Sequence, residues 1–337
     1  MADSPDGTIA DLGEFGLIDR ITAGTGSAKQ VILGPGDDTA IVAAPDGRVV
    51  ITTDLMVEGR HFRRDWSTPI DIGRKAAAAS LADVAAMGAV PTALVVGLAA
   101  PGDLPVAWAV ACSAGLAQEA ALVGAVIVGG DVVSADVITL SVTAIGDLQG
   151  RPPVLRSGAQ VGDQVAIAGR IGWAAAGLAV LTRGFRSPKV LVDAHRFPEP
   201  PYAAGPAAAK AKATSMIDVS DGMIADARHL AIASNVVIEI DTSTWEIPEP
   251  VQGAASAYNV DPREWMLTGG DDHALLATFP AKAKLPKGFT PIGVVSAVGD
   301  VGDVGDVGDV GDVGDVGAGV RVDGVWSEAV GGHVHYR

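Results

Sequence analysis

Two periodicities alternate along this chain: short apolar runs, and longer stretches whose apolar positions recur every three or four residues. Residues 49–53, 93–99 and 137–145 read as strands, and 125–128 as a short buried one. Between them, 70–87 and 105–123 carry the helical period. A polar, Pro-rich break spans 150–162. Beyond it the alternation resumes, with strands at 164–168, 216–219 and 236–240 and helices at 173–182 and 222–234.

The pattern predicts an α/β protein of two layered domains, 13–149 and 150–337, preceded by a flexible tail at 1–12. One segment fits neither period. From 298 to 315 the triplet Val-Gly-Asp repeats six times. It offers no bulky side chain for a core, so it is expected to be an acidic low-complexity loop within the second domain.

Composition narrows the class. The 337 residues carry 24 Lys plus Arg against 40 Asp plus Glu, a formal charge of −16 that argues against nucleic acid or an anionic membrane surface as partner. The single cysteine, Cys112, cannot form an internal disulfide and reads as a small packing residue in a helix. The start of the chain lacks the basic and apolar regions of a signal peptide. The longest uncharged stretch, 84–102, is broken by Gly88, Pro91, Gly97 and Pro101, which suits a helix end, turn and strand rather than a membrane span. A cytoplasmic enzyme or binding protein is expected.

The carboxylates carry the chemistry. Asp37 and Asp38 lie in "VILGPGDDTAIV", and Asp54 follows Thr52 and Thr53 in "VVITTDLMVEGRHF". Asp83 sits among small residues in "SLADVAAMG", and Asp131 follows Gly129 and Gly130 in "VIVGGD". "MIDVSDGM" supplies Asp218, Ser220 and Asp221, and "LTGGDDHAL" supplies Asp271 and Asp272. Each alone is an ordinary turn or helix cap. Together they are apolar strands that repeatedly end in Asp, where α/β folds place ligands. Clustered oxygen donors suit Mg²⁺, and several such ions would let this acidic protein take an anionic, phosphate-bearing substrate. No Gly-Lys dipeptide occurs, so the common Walker phosphate loop is absent, as is G-x-G-x-x-G. His195 and His229 read as packing or surface residues.

These motifs appear in a familiar order. "GEFGLIDRI", "GPGDDTAIV", "TTDLMVEGRHF", "SLADVAAMGAVP", "VGGDVV", "LRSGAQVGD", "IDVSDGMIAD" and "LTGGDDHAL" resemble the thiamine-monophosphate kinases, relatives of aminoimidazole ribonucleotide synthetase and selenophosphate synthetase. The resemblance implies ATP-dependent phosphorylation of thiamine monophosphate to thiamine diphosphate with several Mg²⁺ ions, and leaves a K⁺ requirement open. It places metal ligands at Asp38, Thr52, Thr53, Asp54, Asp83, Asp131, Asp218 and Asp221. Of these, Asp54, Asp218 and Asp221 would serve catalysis through the ions, with no general base. ATP contacts map to Gly130, Asp131, Arg156 and Ser220, and contacts to the thiamine phosphate to His61, Asp271 and His333. The family fold implies two α/β domains in a homodimer, the N-terminal sheets pairing into a barrel, with neither nucleic acid nor membrane as partner.

Two segments depart from the family pattern. Asp271-Asp272-His273-Ala274 replaces Glu-Asp-Tyr-Glu, and His333 stands where an aromatic residue is usual. The alternatives are an aminoimidazole ribonucleotide synthetase-like enzyme and an inactive Mg·ATP-binding sensor. The related hydrogenase-maturation proteins end in a reactive cysteine, whereas this sequence ends His335-Tyr336-Arg337.

Overall fold

The computed structural model describes residues 7–23, 26, 28–33, 40–299 and 317–327. The expected ligand Asp38, the expected substrate contact His333 and nearly all of the Val-Gly-Asp repeat lie outside them.

The first half contains α1 (Ile9–Thr22), β1 (Val31–Leu33), β2 (Ile41–Val42), β3 (Val50–Val57), α2 (Pro69–Ala86), β4 (Val90–Ala100), α3 (Val106–Ala121), β5 (Val126–Ser134) and β6 (Thr139–Asp147). The second contains β7 (Gln164–Ala168), α4 (Trp173–Thr182), α5 (Lys189–Arg196), α6 (Ala204–Lys210), β8 (Ser215–Val219), α7 (Met223–Ser234) and β9 (Val237–Ile240). It continues with α8 (Glu249–Tyr258), α9 (Pro262–Thr268), β10 (Ala274–Phe279), β11 (Phe289–Ser296), β12 (Gly319–Val322) and β13 (Val325–Trp326). The fold is mixed α/β, as expected. Its sheets are largely antiparallel: among the named strands only β4–β5 and β9–β12 pair in parallel.

Three expectations need correction. The expected tail at 1–12 overlaps α1, which starts at Ile9 behind a Thr8–Asp11 capping box. Asp54 and Asp131 do not end their strands: β3 runs on to Val57 and β5 to Ser134. Sheet pairing overrides the weak strand propensity of Asp and Gly there, since Asp54 pairs with Val142 and Asp131 with Gly97.

The first sheet has the order β3-β6-β4-β5 and covers one face with α2 and α3. The two helices touch backbone to backbone: a Cβ on Gly73 would lie 2.0 Å from the Cys112 carbonyl, and one on Gly115 2.1 Å from that of Ile70. Cys112 is buried in this contact, which pushes its thiol pKa up to about 12 and makes it the packing residue expected.

The second sheet has the order β13-β12-β9-β11-β7-β10-β8. One face packs on α7 through Ile217, Val219, Met223 and Leu230. The other packs through Met216, Leu275 and Ala277 on α6 and on Ala85 and Ala86 at the end of α2. Helix α2 therefore joins the halves, and it lies against both sheets.

Candidate active site

That placement lets three elements deliver carboxylates to one seam. Along β3, exposure alternates so that Thr52, Asp54 and Met56 turn toward the helices while Ile51, Thr53 and Leu55 turn outward. Along β8, Met216 and Asp218 share the α2 side, opposite Ile217 and Val219. Asp83 comes from α2 itself.

Local hydrogen bonds fix each carboxylate. The Thr52 hydroxyl donates to Asp83 Oδ2 at 2.7 Å. Ser80 Oγ lies 2.7 Å from Asp54 Oδ2 and 2.9 Å from the Val142 carbonyl. Asp218, buried on β8, has His273 Nδ1 at 3.1 Å from its Oδ2. Burial, then the charges of Asp218 and Asp54, push the Asp83 pKa up to about 7. Asp83 thus feels the charge of both other carboxylates. Among the described residues, however, no three His, Cys, Asp or Glu side chains form a group able to hold a metal ion.

The turn after β8 is built by a residue that sequence reasoning missed. Asp226, on the first turn of α7, accepts from the backbone of Asp221 at 3.0 Å and of Gly222 at 3.1 Å. Burial, with the Asp218 charge added, raises its pKa to about 7. Gly222 has φ +119° and no room for a Cβ, which would sit 2.6 Å from the Thr268 carbonyl. Ser220 and Asp221 are thereby held at the mouth of the strand, and the Ser220 carbonyl accepts from the Asp271 backbone at 2.9 Å.

The Gly-Gly-Asp-Asp loop divides its acids between two roles. Asp272 is a cap: its carboxylate accepts from the backbone of Trp173 at 3.0 Å and Ala174 at 2.9 Å, opening α4. Burial raises its pKa to about 7. Asp271 instead meets the buried ammonium of Lys75, at 2.9 Å. The surrounding protein works to raise Asp271, but its side chain keeps one side open to water, and the Lys75 ammonium overrides the effect and holds the carboxyl well below its usual range. His273, noted in the sequence only as a departure, is the other missed contact. Burial works to lower its pKa, and the adjoining Asp218 carboxylate raises it on balance.

Other expected residues lie apart. Thr53 faces outward and meets Thr143, 3.0 Å away. Gly130 and Asp131 belong to β5, on the opposite edge of the first sheet from β3. In register, Asp131 shares a row with Gly97, Ser141 and the outward Leu55, so it lies on the other face from Asp54. Behind Gly129, Gly130 and Asp131 is a largely apolar cavity of about 60 Å³, lined also by Ile18, Val96, Ala109 and Leu116. Arg156 is exposed, its carbonyl accepting from the Ser234 hydroxyl at 3.0 Å. His61 Nδ1 accepts from the Val57 backbone at 3.0 Å, which leaves the proton of the neutral ring on Nε2. His195 is buried beside Trp66, its pKa lowered by burial to about 3, and His229 is exposed. Both match the packing and surface roles expected.

Residues 36–148 match the family of AIR synthase related proteins, N-terminal domain. A thiamine-monophosphate kinase of Mycobacterium tuberculosis is 49% identical over 289 residues, 86% of each chain. The chain belongs to the thiamine-monophosphate kinase family. The crystal structure of the Aquifex aeolicus thiamine monophosphate kinase superposes with a TM-score of 0.74 at 31% identity, covering 95% of this chain and 99% of that one. An AaThiL structure complexed with AMPPCP and TMP gives a TM-score of 0.76 at 32% identity, covering 95% of this chain and 96% of that one. This thiamine-monophosphate kinase family member keeps an acidic seam between two sheets. His273 is packed directly onto one of the seam's carboxylates.

Proposed function

We propose that the protein transfers the γ-phosphoryl group of ATP directly to the phosphate of thiamine monophosphate, giving thiamine diphosphate, as a Mg²⁺-dependent cytoplasmic homodimer. The observation that carries this reading is the seam of Asp54, Asp83 and Asp218 in a chain 49% identical to a thiamine-monophosphate kinase. The relative complexed with AMPPCP and TMP supports the pair of substrates. For the location, no helix among the described residues is long and apolar enough to cross a membrane.

The donor set fits a hard cation. It is made of carboxylate and hydroxyl oxygens, and a divalent ion relieves both the burial of Asp83 and the neighbouring charges that together lift its pKa. Thr52, Thr53, Asp54, Asp83, Asp131, Asp218 and Asp221, with Asp38, would hold the ions together with substrate oxygens. Bound there, Mg²⁺ supplies positive charge between two anionic substrates.

The protein's own groups orient and exclude. The acceptor is a phosphate monoester with a second pKa near 6, so it arrives largely ionised and needs no base. Cys112 is buried with its thiol pKa near 12, and Ser80 is fully buried, so neither can serve as a phosphoryl carrier. Their burial supports direct in-line transfer to an acceptor that is already ionised. Arg156 offers a planar fork to phosphate oxygens.

The homodimer rests on the outer face of the first sheet. Ile51 is 64% exposed there and Leu55 61%, apolar side chains on one face of the sheet that a second copy would cover. A second copy suits it, because sheets that close into a barrel cover both the face and the edges. Asp131 and Asp54 lie three strand spacings apart, about 14 Å, and on opposite faces. An ion held by both residue types therefore draws on two copies. Leu55→Asp is expected to sediment as a monomer and to lose activity while remaining folded. A dimeric Leu55→Asp would remove this support.

Incubation with Mg·ATP and thiamine monophosphate, followed by chromatography, tests the whole reading. Thiamine diphosphate is expected, and replacing K⁺ by Na⁺ in the same assay measures any monovalent-ion dependence. Binding of Mg·ATP without diphosphate would leave the sensor. Turnover of formylglycinamidine ribonucleotide instead would leave the synthetase.

A further inference from the structure

Lys75, Ala79 and Asp83 lie four residues apart on α2 and form one stripe along the seam. Asp83 ends this stripe at the acidic cluster. Lys75 is about 12 Å away along the helix, at the rise of an α-helix. Its ammonium donates to Asp271 Oδ2 at 2.9 Å, across the junction of the two halves. Lys75 is only 5% exposed, whereas the Asp271 side chain is 46% exposed.

Stability is a weak reason for this pair. Burying an ammonium is costly, and a partner that stays half open to water returns little of that cost. Asp271 also adopts φ +68°, a left-handed backbone that is uncommon for a residue other than glycine and is concentrated at ligand sites. A buried cation therefore fixes a carboxylate whose other side faces solvent.

A carboxylate repels a phosphate. The group that approaches Asp271 must be a cation or a hydrogen-bond donor, and thiamine monophosphate has both at the end away from its phosphate. With the phosphate among the acids near Asp83, an extended thiamine spans the distance back to Lys75 and Asp271. We propose that Lys75 is a positioning residue, holding the Asp271 carboxylate as acceptor for the aminopyrimidine–thiazolium end of the substrate. This rests on the substrate being thiamine monophosphate.

The test compares two ligands of the intact protein. One is thiamine monophosphate; the other is 4-methyl-5-(2-phosphooxyethyl)thiazole, which keeps the phosphate but lacks the pyrimidine and the quaternary nitrogen. Lys75→Met should raise KM for thiamine monophosphate about tenfold or more, the scale of one hydrogen bond to a charged group. KM for ATP and the inhibition constant of the thiazole phosphate should stay unchanged. Lys75→Met combined with Asp271→Asn should be no worse than Asp271→Asn alone, because the lysine acts through the aspartate. Equal losses for both ligands, or a parallel rise in KM for ATP, would overturn the assignment in favour of a structural role. Should Lys75→Met not fold, Asp271→Asn carries the same comparison, and an unchanged ratio of the two constants refutes the proposal. A wild-type protein that forms no thiamine diphosphate removes the substrate reading and this inference with it.

Discussion

Asp218→Asn and Asp54→Asn each lower turnover by at least about a hundredfold at saturating Mg²⁺, the scale of losing one strong electrostatic contact to a transition state. The two residues come from different sheets and face the same helix, so each removes one wall of the seam. Folding should survive both changes. An Asn at 218 still accepts from His273 and lifts a like charge from Asp83 and Asp226. An Asn at 54 still accepts from the Ser80 hydroxyl. Near-normal turnover in either variant, with an unchanged melting temperature, would remove that carboxylate from the metal assignment.

The metal-free protein is expected to melt at a lower temperature at about pH 8 than at about pH 6, and Mg²⁺ should reverse part of the loss. Asp83, Asp226 and Asp272 each have a folded-state pKa of about 7, chiefly through burial. Their unfolded counterparts ionise near pH 4. From there up to about 7 the unfolded chain holds fewer protons than the folded one, so stability falls as pH rises. Each group contributes at most about 1.4 kcal/mol per pH unit in that window. His273, raised on balance, acts in the same direction, since its contribution is lost as pH passes its folded value. His195 opposes them: lowered to about 3 by burial, it costs stability as pH falls below about 6.5. One imidazole against three carboxyls and a second imidazole leaves the slope downward. Mg²⁺ relieves the part due to Asp83 and should leave that of Asp272, a helix cap, in place. A melting temperature that rises from about pH 6 to 8 without metal would contradict the placement of these buried acids.

The sequence by itself determined the family and the mixed α/β class, and it named most of the acids proposed for the site. Order and local spacing carry that information: "TTD", "LAD", "GGD" and "IDVSD" stay recognisable however the chain folds. Periodicity also located β7 and α4 at the bounds the structure gives, because glycines at 162, 169, 172 and 184 mark their ends. It stopped β3 at Thr53 and β5 at Val128, because Asp and Gly disfavour strands locally and only pairing with neighbouring strands extends them. Which acids meet was decided by the tertiary structure alone. Asp54, Asp83 and Asp218 are neighbours because α2 is packed between two sheets, a contact between residues more than a hundred positions apart. Asp271 and Asp272 are adjacent and chemically identical in the sequence. One caps α4 and the other pairs with Lys75, because burial and partners, which differ between the two positions, set what a carboxylate does.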